Sequence, residues 1–158
     1  MTLAGENLSS PVWTLRRAQE SDIEAMLSFW SSIQEIQSSL ADSRKQVQRF
    51  LADNPCSFLV ACSENRVVGT VMGGYNGWRG SIYHLAVQPE YRGQGIGRAL
   101  LLQCLEILQR RGAPRVDLTT YASNKNAQAF YRKLGWRERT EIKNFSFEYT
   151  HDTDNPEH

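Results

Sequence analysis

The stretch Tyr91-Arg92-Gly93-Gln94-Gly95-Ile96-Gly97-Arg98 decides the fold, because three glycines at alternate positions stand between an apolar run and a long apolar helix pattern. Glycine allows a tight, partly left-handed backbone path that a side chain would oppose, and such a turn leaves its peptide N–H groups facing outward. Where the turn opens a helix, those groups coincide with the positive end of the helix dipole. The combination is an anion cradle, and phosphate is the expected anion.

Three kinds of protein use such a cradle. A P-loop needs Gly-x-x-x-x-Gly-Lys followed by Ser or Thr, and no lysine occurs between Lys45 and Lys125. A dinucleotide fold needs Gly-x-Gly-x-x-Gly and an acidic residue at the end of the next strand. Here the third glycine comes one position early and Asp117 stands at the start of its strand, so this reading is weak.

Arg92-x-x-Gly95-x-Gly97 matches a third pattern, and a second block accompanies it downstream: Ser123-Asn124-Lys125-Asn126-Ala127-Gln128-Ala129-Phe130-Tyr131-Arg132-Lys133-Leu134-Gly135-Trp136. Together the two blocks resemble the acetyl-CoA segments of the GCN5-related N-acetyltransferase (GNAT) superfamily. The run Val67 to Tyr75 places the resemblance nearest the bacterial YpeA-like subgroup, and it covers about residues 13 to 140.

At 158 residues the chain has the length of one domain. The expected division is a loose arm over 1–11, a single N-acetyltransferase domain over 12–149 and a polar tail over 150–158. A net charge of +1 with 22% charged residues disfavours a nucleic-acid partner. No apolar run approaches the 18 or so residues of a membrane span, so no membrane partner and a cytoplasmic location are expected. Cys56, Cys62 and Cys104 are odd in number and far apart, which fits free thiols beside apolar neighbours. His84 is the only histidine outside the polar tail, so no metal site is expected and a Ser-His-Asp triad is disfavoured.

Periodicity and turn signals place strands at Thr14–Arg17, Ser57–Cys62, Val67–Tyr75, Ser81–Gln88 and Val116–Tyr121, with one or two more within Trp136–Tyr149. Helices are expected from a Ser21-to-Glu24 capping box onward, over Ser43–Leu51, from Gly97 to the arginines before Gly112, and over Asn124–Leu134. The resemblance implies an α/β (α+β) GNAT fold: a mixed twisted sheet of six to seven strands flanked by about four helices.

It also implies roles. Acetyl-CoA is the cosubstrate and a primary amine the acceptor, either a small molecule or an amino-acid-like metabolite. Protein N-termini or lysines are the alternative acceptors, and a non-catalytic acyl-CoA sensor is the alternative class. Arg92, Gly93, Gln94, Gly95, Ile96, Gly97 and Arg98 would hold the pyrophosphate, through backbone N–H groups and the two arginine charges. Leu85, Ala86 and Val87 would pair with the pantetheine arm as a strand edge does with a peptide, and an N–H near Leu85 would meet the thioester carbonyl. Asn124 and Tyr131 share a helix face with the small Ala127 between them; Asn124 would bond the cofactor, and Tyr131 would protonate the departing thiolate. Ser81 and Thr119 occupy the positions where histone-type and ribosomal-protein-type relatives carry a glutamate, so no glutamate base is carried over. Tyr83 and His84 are candidates for a water-relayed proton path. Substrate recognition is expected from the polar link Gln34–Asp42 and the tip with Tyr75, Trp78 and Arg79. That tip, like the alternation Phe145, Phe147 and Tyr149, could instead serve a homodimer contact.

Overall fold

The computed structural model describes residues 12–36 and 39–149, so the expected arm and tail lie outside the described residues. The chain divides into two compact units, Met1–Thr119 and Thr120–His158. The first unit carries a five-stranded sheet in the order β1 (Thr14–Arg17), β2 (Phe58–Ser63), β3 (Arg66–Tyr75), β4 (Gly80–Val87) and β5 (Val116–Leu118). The first three pairings are antiparallel and β4–β5 is parallel, which makes the sheet mixed. The second unit carries α4 (Lys125–Lys133).

α1 (Ile23–Ser32) and α2 (Arg44–Asp53) cover one face of the sheet. Ile23, Met26, Phe29 and Trp30 recur at helical spacing and share a core with Val47 of α2, Phe58 and Val60 of β2, Met72 of β3 and Ala86 of β4. Burial of each large side chain of this kind contributes about 1.5–3 kcal/mol. The start of α1 differs from the expected Ser21-to-Glu24 capping box. Asp22 instead accepts from the Gln19 N–H at 2.7 Å and from Nη1 and Nη2 of the Arg16 guanidinium at 2.7 and 2.8 Å. A short 3-10 turn, Glu20–Asp22, therefore precedes the helix and ties it to β1. The start of α2 is as read, with the Ser43 hydroxyl accepting from the Gln46 N–H.

α3 (Ile96–Arg110) covers the other face, burying Ile96, Leu100, Leu101, Cys104 and Leu108. Its approach to β3 depends on a glycine: a Cβ on Gly73 would stand 2.3 Å from Cys104 Sγ and 2.9 Å from the Ser57 carbonyl oxygen. The burial that results pushes the Cys104 thiol up to about 12. At its far end Arg111 donates to Asn54 Oδ1 and Ser57 Oγ, at 2.9 and 3.0 Å. This arginine fastens α3 to the chain between α2 and β2, a larger structural role than dipole compensation.

The strand count is corrected from six or seven to five among the described residues. Residues 137–149 form no strand, and Phe145, Phe147 and Tyr149 are exposed despite their alternation. Alternation makes a strand only against a partner edge, and the second unit supplies none among the described residues. β5 is also shorter than read, ending at Leu118 rather than Tyr121. No helix among the described residues is long and apolar enough to cross a membrane.

Candidate active site

The glycine turn joins β4 to α3. Pro89–Tyr91 forms a 3-10 turn, after which Gly93 and Gly95 take φ values of +80° and +83°. A side chain is strained at such angles, and nothing lies within 4 Å of the position a Cβ would occupy at either residue. Gly95 is the N-cap of α3, and the first helical bond runs from the Ala99 N–H to the Gly95 carbonyl at 3.0 Å. The N–H groups of Ile96, Gly97 and Arg98 thus have no partner inside the helix, and they stand at the positive end of a 15-residue dipole.

Arg92 is engaged within the protein. Its Nε donates to the Val87 carbonyl at 3.0 Å, and its Nη1 lies 3.3 Å from Glu35 Oε1. The glycine turn is therefore tied to the end of β4 and to the α1–α2 link. Backbone hydrogen bonding and the Arg92 guanidinium together hold the Glu35 carboxyl below its ordinary range.

β4 has two irregularities. Its pairing with β5 stops at Ile82 and Leu118, so Tyr83 to Val87 have no strand on that side among the described residues. On the other side the register with β3 shifts: Thr70 faces Ala86 and Met72 faces Tyr83, leaving His84 and Leu85 both opposite Val71. This is a β-bulge, with His84 in the left-handed region at φ +46°.

The bulge re-aims a side chain. In a regular strand Tyr83 and His84 would point to opposite faces. Here the Tyr83 ring meets Phe50 of α2 edge-on at 5.9 Å, and the His84 ring meets Trp30 of α1 at 4.5 Å, so both point to the α1–α2 side. His84 Nε2 is 2.7 Å from Asp42 Oδ1, and both side chains are largely shielded, with 19% and 16% of their surface exposed. Asp42 is itself fixed, since its Oδ2 accepts from the Ser39 N–H at 3.0 Å. The His84 carbonyl accepts from the Thr70 hydroxyl at 2.8 Å, and that hydroxyl accepts from Trp30 Nε1–H at 2.9 Å.

In the second unit, the Asn124 side-chain oxygen accepts from the Ala127 N–H at 3.1 Å. Asn124 is thus the N-cap of α4, and that oxygen is committed to the helix. Tyr131 lies two turns along, its ring packed with Phe130 at 5.3 Å and Trp136 at 5.7 Å. Burial pushes its phenol up to about 12, so it is protonated at neutral pH.

The structure brings the glycine turn, Arg92, Leu85, Ala86, Val87 and His84 to one end of β4. It does not bring the hairpin tip there. Tyr75 pairs with Gly80 and Gly69 with Val87, so the tip and the turn are at opposite ends of β4, roughly 23 Å apart at about 3.3 Å per residue. Arg79 stacks on the exposed Trp78 at 4.1 Å, and the Tyr75 hydroxyl donates to the Gly112 carbonyl at 3.4 Å. The residues missed in the sequence are Asp42, Thr70, Trp30 and Glu35 as partners of this site. Asp42 and Glu35 fall in the polar link singled out for recognition, but no local signal joins them to β4. Trp30 and Thr70 read as ordinary core positions.

The chain belongs to the acetyltransferase (GNAT) family, whose model matches residues 23–136. It is an N-acetyltransferase, and the donor for this family is acetyl-CoA. Among its relatives, an acetyltransferase of Pectobacterium atrosepticum is 36% identical over 120 residues, spanning 76% of this chain and 84% of the relative. Ard1 from Thermoplasma volcanium has 25% identity and a TM-score of 0.68, covering 78% of this chain and 82% of that one. A protein from Clostridium acetobutylicum described as a predicted acetyltransferase and crystallised with acetyl-CoA is similar in fold at 19% identity, with a TM-score of 0.67 over 85% of this chain and 96% of that one.

Proposed function

We propose that this N-acetyltransferase moves the acetyl group from acetyl-CoA directly to the primary amine of a small molecule or amino-acid-like metabolite. The observation that carries the reading is the glycine turn. Left-handed Gly93 and Gly95, open space around them and three helix N–H groups without helical partners suit a pyrophosphate at the start of α3. Arg98 adds positive charge beside it. The unpaired edge of β4 from Tyr83 to Val87 suits the amides of the pantetheine arm, and the N–H at the bulge near Leu85 suits the thioester carbonyl.

The amine character of the acceptor rests on the family to which the chain belongs. Glu35 and Asp42 bring carboxylates from the α1–α2 link to β4 and the turn beyond it, where each already has a partner, Arg92 and His84. Tyr131 is the general acid of this reading. The phenol stays protonated at neutral pH, the form needed to return a proton to the thiolate when the C–S bond breaks. A cytoplasmic setting agrees with three free cysteines.

The test is a panel of primary amines and peptides incubated with acetyl-CoA while free thiol is monitored. A small amine should be acetylated faster than any peptide; the reverse order would transfer the assignment to protein substrates. Tyr131→Phe should lower turnover about 10²-fold or more with acetyl-CoA affinity retained. Unchanged turnover would remove Tyr131 from the mechanism.

A further inference from the structure

The acceptor presents a chemical problem that the cofactor cradle does not solve. A primary amine with a pKa near 10 is mostly an ammonium ion at neutral pH, and must lose a proton before its lone pair can attack. We propose that His84, oriented by Asp42, is the general base that removes this proton. The proposal rests on the amine-acetylation reading above.

Three observations converge on His84. First, the bulge turns it to the same face as Tyr83, beside the free edge of β4, at the cost of a left-handed backbone. Such strain in a residue with a side chain persists only where surrounding contacts hold it. Second, the contacts that hold it come from three other segments: Trp30 of α1 against the ring, Thr70 of β3 on its carbonyl, and Asp42 on its Nε2. Third, Asp42 is fixed by the Ser39 N–H and can accept only a proton-bearing Nε2. With Asp42 ionised, that contact places the ring proton on Nε2 and the lone pair on Nδ1, and the ring makes no second hydrogen bond among the described residues.

Nδ1 takes a proton from the acceptor nitrogen, and the lone pair so freed forms the C–N bond. The tetrahedral intermediate returns its oxyanion to a carbonyl as the C–S bond breaks, and the thiolate leaves with the bonding electrons. Tyr131 protonates the sulfur and regains a proton from solvent, while the remaining amine proton and the imidazolium proton pass to solvent. Asp42 is a positioning residue that also stabilises the imidazolium. It is the ionisable group that the structure places on the ring. Among the described residues, Trp30 and Thr70 are not ionisable, Tyr83 turns to Phe50, and Glu35 is held by Arg92.

The test uses the full chain and the amine that the wild type acetylates best in the panel. His84→Asn suits the backbone, because asparagine tolerates the left-handed region. It should lower turnover about 10²- to 10⁴-fold without changing acetyl-CoA affinity by calorimetry, and the loss should shrink as pH rises and free amine becomes abundant. Asp42→Asn should cost less, because the ring loses its orienting partner but keeps a lone pair, and acetyl-CoA affinity should again be unchanged. Retention of the wild-type rate in His84→Asn would overturn the proposal. A wild type that binds acetyl-CoA but acetylates no amine would defeat the amine reading instead. Ring nitrogen NMR then still decides the dyad. The wild type should show a slowly exchanging proton on His84 Nε2 that Asp42→Asn loses, and a neutral ring protonated on Nδ1 would exclude the assigned base.

Discussion

The glycine turn and the β4 bulge both place backbone in the left-handed region near one end of the same strand, by opposite means. At Gly93 and Gly95 the conformation is reached by having no side chain, and the space a Cβ would take is empty. At His84 it is reached with a side chain in place, held by Trp30, Thr70 and Asp42. The turn exposes backbone N–H groups and suits an anion. The bulge aims an imidazole and suits proton transfer. A left-handed residue is therefore a different device according to whether its surroundings are empty or crowded, and the two should respond differently to substitution.

The largest expected effect is at the turn. Gly95→Val puts a β-branched residue at φ +83° and fills the open side of the N-cap. Acetyl-CoA affinity by calorimetry should fall at least about 100-fold, close to 2.7 kcal/mol. An affinity within a few-fold of wild type would separate the cofactor from this turn. The bulge should answer in stability. Thr70→Val keeps the shape but leaves the Trp30 indole N–H and the His84 carbonyl without their shared hydroxyl. Such buried losses cost about 1–3 kcal/mol, read as a lower urea midpoint. Acetyl-CoA affinity should stay within about twofold. A variant as stable as wild type would show that the hydroxyl does not hold the bulge.

The same contrast explains what was legible in the sequence. Gly93, Gly95 and Gly97 announce the turn because glycine spacing is a local signal, and α3 follows from its apolar stripe. The bulge has no such signal. Strict alternation sends His84 to the face away from Tyr83, and only the register against β3 reverses this. Asp42 is 42 residues from His84 in sequence, and Trp30 is 40 from Thr70. Pairings of that kind are decided by packing, so in the sequence each residue reads as an isolated polar or core position. The final strands were over-read for the converse reason: Phe145, Phe147 and Tyr149 alternate, but alternation carries no information about a partner edge.

Arg92 stands at the boundary between the two devices, and should give the smallest effect. As part of the motif it is a positive charge for pyrophosphate; in the structure its guanidinium spans the Val87 carbonyl and Glu35. Both Arg92 and Glu35 side chains are more than two-fifths exposed, so the pair is worth only about 0.2–1 kcal/mol after screening by solvent. A clamp and a free charge predict different outcomes for a lysine at this position. Arg92→Lys preserves the charge but not the planar fork that lets one group reach both acceptors. If the clamp is what matters, Arg92→Lys and Arg92→Ala should weaken acetyl-CoA binding by the same factor, no more than about fivefold. If the charge matters, lysine should retain the affinity that alanine loses, and the wild-type affinity should fall steeply with added salt. The engagement of Nε by a backbone carbonyl at 3.0 Å favours the first result, because a guanidinium held there steadies the start of the turn without having to reach the phosphate.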